Sequence, residues 1–154
     1  MKIAIGADHR GHASARAVAD RLTAQGHEVS IHGPLDGKSC DYPERADLVG
    51  KAVAAGTADV GVLICGTGIG MAIAANKIPG VRAAVVHDEL TAQLSRSHNS
   101  ANVLCLSADL LGQRLIDTIV DTFVSTEFEG GRHSRRVHKV QAIEQGKDPA
   151  TVID

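Results

Sequence analysis

The chain reads as a doubly wound, Rossmann-like α/β protein: three α/β/α layers around a five-stranded parallel sheet, with an additional C-terminal helix. Three observations predict this. Short apolar runs alternate with stretches of helical periodicity along most of the chain. The runs are apolar at consecutive positions, which marks strands buried on both faces and covered by helices. Polar and titratable residues follow the ends of those runs, where open parallel sheets bind their ligands.

Each element has its own signal. Lys2 to Ala7 is a first strand, and Ser14 to Gln25 a helix with Ala15, Val18, Ala19 and Leu22 on one face and Gly26 as its stop. Glu28 to His32 is a second strand. Pro43 to Ala55 is helical, with Pro43 suited to the first turn and Gly56 ending it. Asp59 to Cys65 is a buried strand, and Gly70 to Lys77 a helix closed before Pro79-Gly80. Val81 to Val86 and Val103 to Leu106 complete the strands, with a helix at Glu89 to Ser97 between them. Leu110 to Ser125 and, after Gly130-Gly131, Ser134 to Gln145 are the last helices. Residues 1–146 form one domain, and 147–154 a loosely ordered tail.

Composition narrows the function. A chain of 154 residues suits one domain, and 44% hydrophobic residues can fill its core. Aromatic residues are only 2%, too few for a surface that stacks on bases. The net charge of -2 gives no global field for nucleic acid or an anionic membrane. Cys40, Cys65 and Cys105 are an odd number with no close pair, which disfavours a disulfide framework or a zinc ribbon and points to a reducing, cytoplasmic setting. The sequence opens directly on a strand pattern, without a signal-peptide core, and holds no membrane-length apolar run.

Chemistry gathers after the strands. Gly66-Thr67-Gly68-Ile69-Gly70 joins a buried strand to a helix, and its glycines let backbone N–H groups approach an anion or a developing oxyanion. Met71 stands where a dinucleotide fingerprint needs glycine, and the Lys-Ser/Thr of a P-loop is missing. The loop is otherwise a tight turn without a ligand. Cys65, at its start, is placed to lose its proton readily and act as a base, or is a buried structural cysteine. Asp8-His9 is an acid–base or anion-binding pair, or a solvated helix opening. His98, before Asn99, is a proton carrier or a helix cap. Arg132 and Arg136, four residues apart, present two guanidinium forks suited to phosphate, or a solvated face. No spacing resembles a metal site.

Together the segments GADHRG, DYP, ICGTGIGMAIAANK, HNSANVL and EGGRHSRRV resemble the type B ribose-5-phosphate isomerases, a family that includes galactose-6-phosphate and allose-6-phosphate isomerases. The resemblance covers roughly residues 1 to 145. It implies a cofactor- and metal-free aldose–ketose isomerase acting on a sugar phosphate, most simply ribose 5-phosphate and ribulose 5-phosphate, through a cis-enediolate. Cys65 would move the proton between C1 and C2, with Thr67 and His98 opening the sugar ring. The backbone of Gly66, Gly68 and Gly70, with Asn99, would hold the enediolate oxygen. His9, Arg132 and Arg136 would take the phosphate, and Asp8 and Tyr42 would line the pocket. The resemblance also implies a homodimer or tetramer with the site between subunits.

The chain departs from that pattern at Asp109, where the family usually has arginine. Ser100 stands for a common aspartate, Ala72 for serine, and Ser14-Ala15-Arg16 for a stretch in which Leu-Lys is frequent. Loss of one charge-assisted phosphate contact at residue 109 would weaken binding by ~1.5–3 kcal/mol. Other sugar phosphates, or a free sugar, are therefore alternative substrates. A non-catalytic sugar-phosphate-binding module is the alternative of another class, though it has no use for Cys65 together with His98.

Overall fold

The computed structural model describes residues 1–153, so the end of the tail at Asp154 lies outside it. Its strands are β1 (Lys2–Ala7), β2 (Glu28–Ile31), β3 (Val60–Cys65), β4 (Ala83–Val85) and β5 (Val103–Ser107). All pair in parallel, in the order β2-β1-β3-β5-β4. Helices α1 (His12–Ala24), α2 (Tyr42–Ala54), α3 (Ile69–Ala75), α4 (Glu89–Ser97), α5 (Gln113–Ser125) and α6 (Arg132–Glu144) complete the expected three-layer architecture.

Side-chain alternation along buried strands separates two cores. Ile3, Ile5, Val62, Ile64, Leu104 and Leu106 meet α1 and α5 on one face. Leu63, Cys65, Val103 and Cys105 meet α2 and α3 on the other. Nearly all of this packing is aliphatic, and Phe123 of α5 is its one fully buried aromatic ring among the described residues. At Gly61 a Cβ would lie 2.6 Å from Val49, so the glycine lets α2 sit close on β3.

The expected boundaries hold within a few residues. The helix expected from Leu110 begins instead at Gln113, because the Ser107 hydroxyl accepts the Leu110 N–H and Gly112 forms the N-cap. The tail carries a short 3₁₀ turn, Pro149–Thr151, whose opening N–H at Ala150 is capped by Asp148.

Candidate active site

One group of expected site residues stands at the carboxyl end of the sheet. β1 delivers Asp8, whose buried carboxylate accepts from the backbone N–H of Arg10 at 2.8 Å and of Gly11 at 3.1 Å, folding the chain back into α1. The neighbouring His9 ring lies 3.3 Å from the Cys40 carbonyl. β3 ends at Cys65, only 4% exposed, and the Gly68 N–H donates to its sulfur at 3.1 Å. A hydrogen bond of this kind strengthens when the acceptor carries charge. Gly68 adopts φ 77°, a left-handed conformation that turns the loop into α3. Thr67 is exposed, and its hydroxyl accepts from the Ile69 N–H.

Two neighbours close around this loop. A Cβ on Gly70 would lie 2.5 Å from the Tyr42 ring, so the tyrosine at the start of α2 covers the start of α3 through a contact only glycine permits. On the other side the Gly66 carbonyl accepts from the Ser107 hydroxyl at 2.6 Å and from the Asp109 N–H at 3.1 Å. The Asp109 carboxylate leans over Gly66 and pairs with Arg10, taking hydrogen bonds of 3.1 Å from Nε and 2.7 Å from Nη2. Asp109 raises the already high pKa of that guanidinium through this bond and its charge.

The second group stands elsewhere. His98 caps the C-terminus of α4, and its chain continues to Asn102, whose carbonyl accepts from Gly61 at the beginning of β3. Gly61 lies four residues before Cys65 on β3, so this places the segment after His98 toward the amino end of the sheet, about 13 Å along the strand from Cys65. There the Glu129 N–H bonds to the Ser97 carbonyl and brings the start of α6 against α4. His133, 5% exposed, stacks on His98 with centroids 4.1 Å apart and planes 8° from parallel. Burial, followed by the charges of His98 and Arg132, lowers the His133 pKa below the ordinary imidazole value. Arg132 and Arg136 are exposed at the start of α6, and Arg136 shares a groove of about 660 Å³ with Asn99.

His98, Glu129 and His133 offer ligand atoms within 4.8 Å of one another, a convergence that sequence spacing does not reveal. Their geometry suits proton chemistry better than a cation. Each imidazole lone pair lies in its own ring plane, and two nearly parallel stacked rings cannot aim both at one ion. The adjacent Arg132 would also repel it.

The ribose/galactose isomerase family model matches residues 3–140. The chain belongs to the ribose/galactose isomerase family. Within this family it is 44% identical to ribose-5-phosphate isomerase B of Escherichia coli strain K12, over 96% of this chain and 99% of the relative. The structure of ribose-5-phosphate isomerase B from Clostridium thermocellum superposes with a TM-score of 0.93 at 47% identity, covering 95% of this chain and 99% of the other. That of the Mycoplasma genitalium ribose-5-phosphate isomerase B, with bound ribulose 5-phosphate, gives a TM-score of 0.91 at 42% identity, covering 94% and 96%.

Sequence reading thus named residues of both groups, and expected a site between subunits, without assigning the groups to opposite ends of the sheet. It also missed the Arg10–Asp109 pair and the His98–His133 stack, whose partners lie far apart in sequence. Cys105, the other thiol on the Cys65 side of the sheet, is fully buried, and desolvation pushes its pKa up, as expected of a structural cysteine. No helix among the described residues is long and apolar enough to cross a membrane.

Proposed function

We propose that this chain is an aldose–ketose isomerase that interconverts ribose 5-phosphate and ribulose 5-phosphate. The observation that carries this reading is near full-length similarity to ribose-5-phosphate isomerases B, one of them holding ribulose 5-phosphate. The local chemistry agrees: a thiol held by a backbone N–H opens a glycine loop at the carboxyl end of the sheet.

In the forward direction Cys65 Sγ takes the C2 proton of the opened aldose. The C–H electron pair becomes the C1–C2 double bond, and charge moves onto O1. Backbone N–H groups of the Gly66, Gly68 and Gly70 loop, with Asn99, stabilise that oxygen. The proton returns to C1, while the O2 proton passes to O1 as C2 becomes the carbonyl. C1 is reduced and C2 oxidised, so the reaction balances within the sugar. Thr67 and His98 open the ring, His9, Arg132 and Arg136 hold the phosphate, and Asp8 and Tyr42 line the pocket.

His98 and the arginines join Cys65 when a second copy of the chain supplies them across a homodimer interface, alone or within a tetramer. The separation of the two groups in one copy supports this. So do the exposed Ile69 and Ile73 of α3 and Val140 and Ile143 of α6, apolar side chains that an interface would cover. Residues 1–146 act as one domain with 147–154 as its tail, in the cytoplasm.

Replacing Cys65 with Ala tests the reading. Loss of the base is expected to lower kcat by at least ~10²-fold, with ribose 5-phosphate binding and assembly retained. Turnover at the parent rate would rule out Cys65 as the base. A comparison of kcat/KM across aldose phosphates and free aldoses tests the substrate.

A further inference from the structure

The reaction as proposed leaves one buried imidazole unused. His133 belongs to the EGGRHSRRV segment, yet neither proton transfer nor phosphate binding calls on it. We propose that His133 is a positioning residue for His98: its ring lies flat against the imidazole that opens the sugar and fixes the plane in which that imidazole meets the substrate. The inference rests on the assignment of ring opening to His98.

Three features carry it. The stack is close and nearly parallel, at 4.1 Å and 8°. The two rings differ in freedom, because the side chain of His133 is 6% exposed and that of His98 35%, so the buried ring forms a fixed wall and the other presents an edge to solvent. His133 is itself held: Arg132 Nε donates toward its Nε2 at 3.4 Å, and the Glu129 carboxylate faces Nε2 of both rings, at 3.8 Å from His133 and 3.9 Å from His98. A proton carrier on a helix cap has two side-chain torsions to settle, and a fixed ring beside it removes much of that freedom before substrate arrives.

The test separates ring opening from proton transfer at carbon. Ribulose 5-phosphate cannot close to a furanose, because its O5 carries the phosphoryl group. Exchange of its C1 hydrogen for solvent deuterium therefore needs proton transfer at Cys65 and the contacts that hold the enediolate and phosphate but no ring chemistry, whereas formation of cyclic ribose 5-phosphate on the enzyme needs ring closure as well. The readout is the ratio of deuterium wash-in to ribose 5-phosphate formation, measured on the full-length assembled enzyme. His133→Ala is expected to raise this ratio about 10- to 100-fold, the range in which misplaced catalytic groups act. His133→Phe, which keeps a flat buried ring over His98, is expected to stay near the parent ratio.

A general loosening of the fold would depress both rates together and leave the ratio unchanged, which would overturn the inference. So would a His133→Phe variant that behaves like His133→Ala, since the stack would then not be what His133 supplies. His98→Ala distinguishes the two levels of the argument. If it leaves turnover and ratio unchanged, the assignment of His98 to ring opening fails, and the inference with it. If it raises the ratio while His133→Ala does not, only the positioning role falls.

Discussion

Replacing Gly68 with Ala perturbs the loop at its left-handed residue. Gly68 sits at φ 77°, ψ -21°, where an L residue carries a side-chain clash of ~1–2 kcal/mol. The added Cβ would also lie 3.1–3.2 Å from backbone atoms of Leu106, inside β5, which cannot rotate away. Crowding against such a wall adds about 1 kcal/mol or more. Alanine narrows the unfolded ensemble and returns ~0.4–1 kcal/mol. Strain and crowding therefore win, leaving a net loss of roughly 1–3 kcal/mol, or about 3–10 °C in Tm for a chain of this length. Function should suffer more than stability. The Gly68 N–H that donates to Cys65 Sγ at 3.1 Å moves with its backbone, and displacement of such a group lowers kcat by ~10²-fold. Thermal unfolding followed by circular dichroism, together with initial rates on ribose 5-phosphate, checks both. A variant that melts within about 1 °C of the parent and turns over at the parent rate would refute the reasoning.

Two further predictions concern charge. Asp109→Asn releases Arg10 from its carboxylate; because the side chains are 57% and 38% exposed, solvent screens the pair and its loss should leave Tm close to that of the parent. Its KM for ribose 5-phosphate is expected to fall severalfold as a negative charge leaves the site, with that for unphosphorylated ribose unchanged, and equal changes for both sugars would place residue 109 away from the phosphate. His133 makes stability sensitive to acid, since its pKa is lowered in the folded state mainly by burial. Above the ordinary imidazole value of ~6.5 both folded and unfolded chains hold it neutral; as pH falls below that value the unfolded chain binds the proton first, and stability is lost until the folded pKa is passed. Tm measured against pH should therefore drop less steeply on the acid side for His133→Phe than for the parent, despite the retained His98, Glu129, Arg132 and Arg136 around the position, and parallel curves would contradict the assignment.

The strands were legible because burial on both faces leaves an unbroken apolar run, as in Val62-Leu63-Ile64, that few other arrangements would tolerate. The start of α5 was less so. Leu110 and Leu111 look like a helix face, but the Ser107 hydroxyl takes the Leu110 N–H into a turn, and a one-dimensional pattern does not register that competition. The glycine loop and its thiol were legible as chemistry, whereas the carboxylate over Gly66 was not, because Arg10 and Asp109 are 99 residues apart and meet only when β1, β3 and β5 align.

The separation of the two groups of residues has a deeper cause in the topology. In a parallel α/β sheet a residue that follows a strand stands at the carboxyl end, and a residue that follows a helix and precedes a strand stands at the amino end. Cys65 follows β3, while His98 follows α4 and precedes β5. Their separation is thus written into the order of elements, and no rotamer change recovers about 13 Å, the rise of β3 from Gly61 to Cys65. A single copy could unite them only by breaking the ladder that joins β3 to β5. Two copies can unite them with every strand left in place, by setting the amino end of one sheet beside the carboxyl end of another. For that reason the exposed apolar side chains of α3 and α6 belong to the same problem as the proposed catalytic residues. Ile69 and Ile73 rise directly from the Cys65 loop, and Val140 and Ile143 continue the helix that begins with Arg132. An interface built on these helices would bring each thiol the histidine and arginines that its own chain holds at the far end.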